Sequence, residues 1–151
     1  MDRFDLDGRP LSRALARLFL AVLFAAGPAW GQRDVISTPD APLAKGPFKY
    51  GDLLFIAGQV PIDPRTHQWV KGTIDEQTRR VLDNIKAVLA ANDMTMANVL
   101  STTVYLRDFG DFQKMNSVYS GYFGTAPPAR ATVPAPLAGD MLIKISAIAG
   151  R

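Results

Sequence analysis

The sequence predicts an α+β fold in which one β-sheet carries two helices on one of its faces. Segments of strand and helix character follow one another as strands, helix, strand, helix, strands. Both helical segments are amphipathic, so each needs one apolar support, and a single sheet face offers it to both. The strands look apolar on both faces, so the face without helices needs a partner. A homo-oligomer whose sheets pack together is therefore expected.

The elements follow in order. Asp34-Val35-Ile36-Ser37 suits a short first strand, and Thr38 to Pro47, rich in Pro and small residues, reads as a loop. Phe48-Lys49-Tyr50 is extended and Gly51-Asp52 is a turn. Leu53-Leu54-Phe55-Ile56-Ala57 is a continuous apolar strand ended by Gly58-Gln59-Val60-Pro61. Pro61 to His67 is turn chemistry, with Trp69 expected to anchor a local hairpin against the domain. Thr73 and Glu76 have the spacing of a capping box. Ile74, Val81, Leu82, Ile85, Val88 and Leu89 behind them keep helical spacing to Asn92-Asp93. Val99 to Leu106 is a β-branched strand. Asp108 to Asp111 offers caps for a second helix ending near Phe123, with Phe112, Met115, Tyr119, Tyr122 and Phe123 as its apolar stripe. Arg130 to Pro134 and Met141 to Ala149 form the last strands, joined through the Pro136 to Asp140 turn region.

Residues 1–31 read as a secretory leader, leaving 32–151 as the domain. Arg3, Arg9, Arg13 and Arg17 outweigh Asp2, Asp5 and Asp7, and the uncharged run Leu18 to Ala26 follows. Gly27-Pro28 breaks the run, and Ala29-Trp30-Gly31 offers small residues for cleavage after Gly31. The run is too short to span a bilayer comfortably, so no stable membrane anchor is expected once the leader is removed. The expected location is the periplasm, or the cytoplasm if the segment is not a functional signal.

Composition removes several classes of chemistry. The 151 residues contain no Cys and one His, which excludes disulfides, thiol nucleophiles, thiolate metal sites, His-based triads and multi-His metal centres. His67 itself lies in a turn. The net charge is +3 and no basic run exceeds Arg79-Arg80, so no nucleic-acid site is signalled.

Two polar residues stand out. Pro127-Pro128 sets an extended approach, Arg130 follows, and Thr132-Val133 continues as strand. A guanidinium mounted between stiff backbone and a sheet is well placed to grip a carboxylate, although pairing with a surface acid explains the residue equally well. Asn116 lies at the edge of the second helix's apolar stripe and needs a hydrogen-bond partner, either backbone or a ligand in a cleft.

The blocks Phe55-Ile56-Ala57-Gly58-Gln59-Val60-Pro61, Leu82-Asp83-Asn84-Ile85-Lys86-Ala87-Val88-Leu89, Thr103-Val104-Tyr105-Leu106-Arg107-Asp108, Pro128-Ala129-Arg130 and Ile143-Lys144-Ile145-Ser146-Ala147-Ile148-Ala149 occur in one order and spacing. With them the chain resembles the reactive intermediate deaminase (Rid, YjgF-like) family from Ile36 to Arg151. The resemblance implies a chorismate-mutase-like mixed sheet, a homotrimer with clefts between subunits, and hydrolysis of 2-imino acids or their enamine tautomers to 2-oxo acids and ammonia. Enzymes of this kind act on 2-iminobutanoate and 2-iminopropanoate and use no cofactor or metal. It also implies that Arg130 binds the substrate carboxylate, that the Gly58 backbone lines the pocket, and that Asn116 belongs to it. Phe48 stands where many members have Tyr, Thr132 where some have Cys, and Ser146 where active members carry Glu or Asp. A hydroxyl orients water but is a poor base by itself, so reduced activity is expected. The alternative is a non-catalytic trimeric small-carboxylate binding or stress protein using the same cleft.

Overall fold

The computed structural model describes residues 34–35 and 47–151, so the expected leader, its cleavage and the Thr38 to Gly46 loop lie outside the described residues. One six-stranded sheet organises them, in the order β1-β2-β3-β6-β4-β5. Its strands are β1 (Asp34–Val35), β2 (Phe48–Tyr50), β3 (Leu53–Gln59), β4 (Val99–Leu106), β5 (Ala129–Pro134) and β6 (Ile143–Gly150). Only β4 and β5 run parallel, joined through α2 (Phe112–Phe123); every other neighbouring pair is antiparallel. The sheet is thus mixed, with α1 (Ile74–Ala90) beside α2 on one face.

The core lies between the helices and that face. Leu54 and Ile56 of β3, Ile143 and Ile145 of β6, and Val104 and Leu106 of β4 meet Leu82, Ile85 and Leu89 of α1 and Met115, Tyr119 and Phe123 of α2. The capping box forms as its spacing predicts. Thr73 Oγ1 accepts from the Glu76 backbone N–H at 3.4 Å, and the Glu76 carboxylate accepts from Thr73 N–H at 2.7 Å. Asp93, at φ 54°, closes the other end, with Met94 N–H reaching back to Leu89 C=O at 2.9 Å. Asp108 caps a 3₁₀ turn over Phe109–Asp111 rather than α2 itself, which starts without a side-chain cap.

Two boundaries and one side chain differ from the sequence reading. β3 does not stop at Ala57 but continues through Gly58 to Gln59, because a bulge absorbs the irregularity. β6 starts at Ile143, not Met141, because buried Gln77 of α1 captures the preceding backbone. Its amide donates to Asp140 C=O at 3.2 Å and its carbonyl accepts from Leu142 N–H at 2.8 Å. Trp69 pairs the local hairpin through its backbone bridge to Ile62, but the residue is 43% exposed and not buried against the domain as expected. His67 is exposed in a turn at φ 57°, as the sequence suggests.

Among the described residues the opposite sheet face carries no helix. Tyr50, 51% exposed, and Ile148, 36% exposed, lie on it with half-buried Phe48, Leu53 and Phe55, and the Phe48 and Phe55 rings stack at 4.8 Å.

Candidate functional site

The loop after α2 delivers Arg130 to β5, where it pairs in register with Thr102 of β4. Thr102 is buried toward the helices, so Arg130, and Thr132 two residues on, project to the helix side of the sheet at its edge. There α2 supplies a cradle. The Arg130 guanidinium lies over the Tyr119 ring, 4.5 Å from its centroid, and 5.7 Å from that of Phe112. Arg130 Nη2 donates to Asn116 Oδ1 at 2.8 Å. Asn116 and Tyr119 are three residues apart, hence neighbours on one side of the helix. Tyr119 is pinned in turn by a 2.7 Å hydrogen bond between its hydroxyl and Thr102 Oγ1. Burial pushes its phenol above the ordinary value of 10.0, with Thr102 and Arg130 pulling it part of the way back.

The Asn116 side chain meets neither of the partners the sequence suggested, backbone or ligand: its Oδ1 is taken by Arg130. The surface acid that would explain Arg130 by itself is not there: among the described residues no carboxylate forms an ion pair with it. A half-buried guanidinium is thus held by two aromatic rings and one amide, with further donors left for an external oxygen pair.

Ser146, Gly58 and Phe48 form a second group. Ser146 pairs with Thr103 of β4, the residue after Thr102. Successive strand residues point to opposite faces, so Ser146 lies on the face without helices. On its other side the register of β3 jumps. Ile56 pairs with Ala147 and Gln59 with Ile145, which leaves Ala57 and Gly58 together opposite Ser146. Two residues against one is a β-bulge, a common device next to binding sites. Gln59 Nε2 fastens it by donating to Ala57 C=O at 3.1 Å. Phe48 lies further along this face, stacked on Phe55.

One protomer therefore holds the six residues as two half-sites on opposite sheet faces: Arg130, Asn116 and Thr132 on one, Gly58, Ser146 and Phe48 on the other. Sequence reasoning missed the support around both. Tyr119 and Phe112 looked like core residues only, although their spacing to Asn116 was a usable signal. Asn84 is also structural to the second half-site. Its amide donates to Val60 C=O at 3.1 Å and Ile62 C=O at 3.0 Å, fixing the chain where it leaves the bulge.

A further hollow lies elsewhere. A groove of about 490 Å³ between α1 and α2 is lined by Asp75, Arg79, Asp83, Met96 and Tyr122, and by none of the six. Tyr122 donates to Asp83 Oδ1 at 2.8 Å, and burial with that nearby carboxylate pushes its pKa up to about 12. Among the described residues no group of three or more His, Cys, Asp or Glu is arranged to hold a metal ion.

Comparison with known proteins agrees with this fold. The profile of the family described as Endoribonuclease L-PSP matches residues 38–150. A RutC family protein of Pyrococcus horikoshii is 52% identical over 122 residues, covering 78% of this chain and 97% of that protein. The chloroplastic Reactive Intermediate Deaminase A of Arabidopsis thaliana is 35% identical over 105 residues, covering 67% of this chain and 56% of that one. The crystal structure of RidA from an Antarctic Psychrobacter superposes with a TM-score of 0.73 at 31% identity, over 79% of this chain and 100% of that chain.

Proposed function

The chain belongs to the Endoribonuclease L-PSP family, the Rid/YjgF group of proteins, and from that premise we propose that it hydrolyses reactive 2-imino acids to 2-oxo acids and ammonia. The observation that carries this reading is Arg130: a guanidinium pre-aimed by Asn116 and Tyr119, with no acid paired to it among the described residues. Such a fork takes a planar carboxylate by two parallel hydrogen bonds, the group that every 2-imino acid carries beside its C=N carbon. Holding the carboxylate fixes the imine carbon and so contributes by positioning.

The site is completed between copies of the chain. Arg130 and Ser146 face opposite sides of one sheet, so the ligand held by one copy's Arg130 meets the Ser146 face of another. The helix-free face, with Phe48, Phe55 and Ile148 on it, is the surface a second copy would cover, and a closed trimer does this for every copy at once. In the resulting cleft a water adds to the carbon of the protonated imine and releases one proton to solvent. The carbinolamine nitrogen then takes up a proton and leaves as ammonia, while the hydroxyl gives its proton to solvent and becomes the oxo group. The Ser146 hydroxyl orients that water but does not keep its proton. Lack of a carboxylate at this position costs the general-base share of the rate, roughly 10²–10⁴-fold.

The test is oxo-acid release from 2-iminobutanoate and 2-iminopropanoate generated in situ by an amino-acid oxidase. The full-length protein is expected to accelerate release above buffer, and Ser146→Glu to accelerate it further. Ser146 also favours a second reading, a trimer that binds small carboxylates in the same cleft without chemistry. In that case wild type gives no acceleration, yet 2-oxobutanoate raises its melting temperature.

A further inference from the structure

Lys144 has no part in the mechanism above, yet it stands beside the residues that do. It is two residues from Ser146 on β6 and shares its face. Its side chain does not extend into solvent but lies across the bulge. A Cβ added to Gly58 would sit 2.1 Å from Lys144 Cε and 3.2 Å from Cδ and Cγ, so the missing side chain of Gly58 is the space the lysine stem occupies. The ammonium then rests 5.9 Å from the centre of the Tyr105 ring. Gly58, Ser146 and Lys144 thus form one cluster.

Its charge is unmatched. No acid among the described residues forms an ion pair with Lys144. From β2 to β6, the other side chains that register places on this face are uncharged: Phe48, Tyr50, Leu53, Phe55, Thr103, Tyr105 and Ile148 among them. A lone ammonium on an apolar face that another copy covers is costly to desolvate unless an anion meets it. A substrate clamped by Arg130 has already committed one carboxylate. The anion left for Lys144 is a second one, further along the same molecule.

We propose that Lys144 makes the cleft selective for dianionic substrates, the imines of acidic amino acids. Its ammonium pairs with the distal carboxylate while Arg130 of the partner subunit holds the one beside the imine carbon. The bonds made and broken are those of the hydrolysis above. This rests on the imine-hydrolase reading and on the cleft between copies. A monocarboxylate such as 2-iminobutanoate presents only alkyl carbon to Lys144 and gains nothing from it.

The experiment compares kcat/KM for 2-iminoglutarate and 2-iminobutanoate, each generated in situ, with full-length wild type, Lys144→Met, Lys144→Arg and Arg130→Ala. Solution mass of each variant is measured alongside. Wild type is expected to favour the dicarboxylate, and Lys144→Met to lower the dicarboxylate-to-monocarboxylate ratio by about 10- to 100-fold, the size of a charge-assisted hydrogen bond. Lys144→Arg, which keeps the charge, is expected to keep most of the preference. Equal ratios in wild type and Lys144→Met overturn the proposal while leaving the hydrolase reading intact. So does a Lys144→Met variant that changes only the solution mass, because the lysine then serves an inter-subunit ion pair. If neither substrate is turned over in an Arg130-dependent way, the hydrolase reading fails instead. Calorimetric binding of 2-oxoglutarate against 2-oxobutanoate then decides: a Lys144-dependent preference for the diacid supports its role, and equal binding overturns it.

Discussion

Replacing Asn84 separates hydrogen bonding from packing at the edge of the second half-site. The residue is 6% exposed, and its amide spans two backbone carbonyls of the segment that leaves the bulge. The two losses are unequal. Val60 C=O keeps a bond from Ile62 N–H at 2.8 Å, so there Asn84→Ala forfeits one hydrogen bond of about 1 kcal/mol. Ile62 C=O has no second partner among the described residues and becomes a buried orphan, at about 1–3 kcal/mol. Together the substitution should destabilise the fold by about 2–4 kcal/mol, or about 10 °C in melting temperature for a domain of this size. Asn84→Asp preserves the volume but turns both donors into acceptors facing carbonyls, so it should cost more than Ala. The assay is urea and thermal unfolding at one fixed protein concentration, since assembly makes the midpoint concentration-dependent. An Asn84→Asp variant within about 0.5 kcal/mol of wild type would refute the reasoning, because a satisfied buried pair cannot be inverted without loss.

Tyr119 should separate stability from binding. Tyr119→Phe keeps the platform under Arg130 but strands the buried Thr102 hydroxyl, so it should cost about 1–2 kcal/mol in unfolding with little change in KM. Tyr119→Leu also removes the ring and should raise KM about three- to tenfold, as measured in the imine assay. Glu76 is held below its ordinary carboxyl value of 4.5 by the Thr73 backbone N–H and hydroxyl. Its folded-state pKa is depressed, so the stability it adds is present above the ordinary value and lost as pH falls through the depressed one. Acid unfolding curves of wild type and Glu76→Gln should therefore differ at neutral pH, draw together as pH falls below the ordinary value of 4.5, and converge below the depressed one. If the leader is removed as its sequence predicts, N-terminal sequencing of protein recovered from the periplasm should begin at Gln32.

Much of this architecture was legible because it rests on local patterns. The Thr73–Glu76 box and the Ile74 to Leu89 spacing define α1 without reference to the rest of the molecule. The placement of Arg130 at the entry to β5 was legible for a similar reason, as a residue between two prolines and a strand. Properties that depend on register were not. Nothing in Ala57-Gly58-Gln59 announces that two of these residues face one on β6, since a bulge is a relation between strands. The same limit hid the division of the six residues between two faces, which turns on whether Thr102 or Thr103 is the partner. Gln77 and Asn84 read as ordinary helix polar residues, and only the distant carbonyls they meet explain their burial.

The most direct measurement is the rate of oxo-acid release from an in-situ imine with wild type, Arg130→Ala and Arg130→Lys at equal concentration. Loss of a pre-aimed, charge-assisted carboxylate contact is worth about 2–4 kcal/mol, so kcat/KM should fall roughly 30- to 1,000-fold in Arg130→Ala. Arg130→Lys should recover only part of it, lacking the planar fork. Wild-type acceleration that survives Arg130→Ala unchanged would contradict the account, because the chemistry would then occur without the carboxylate clamp proposed for Arg130.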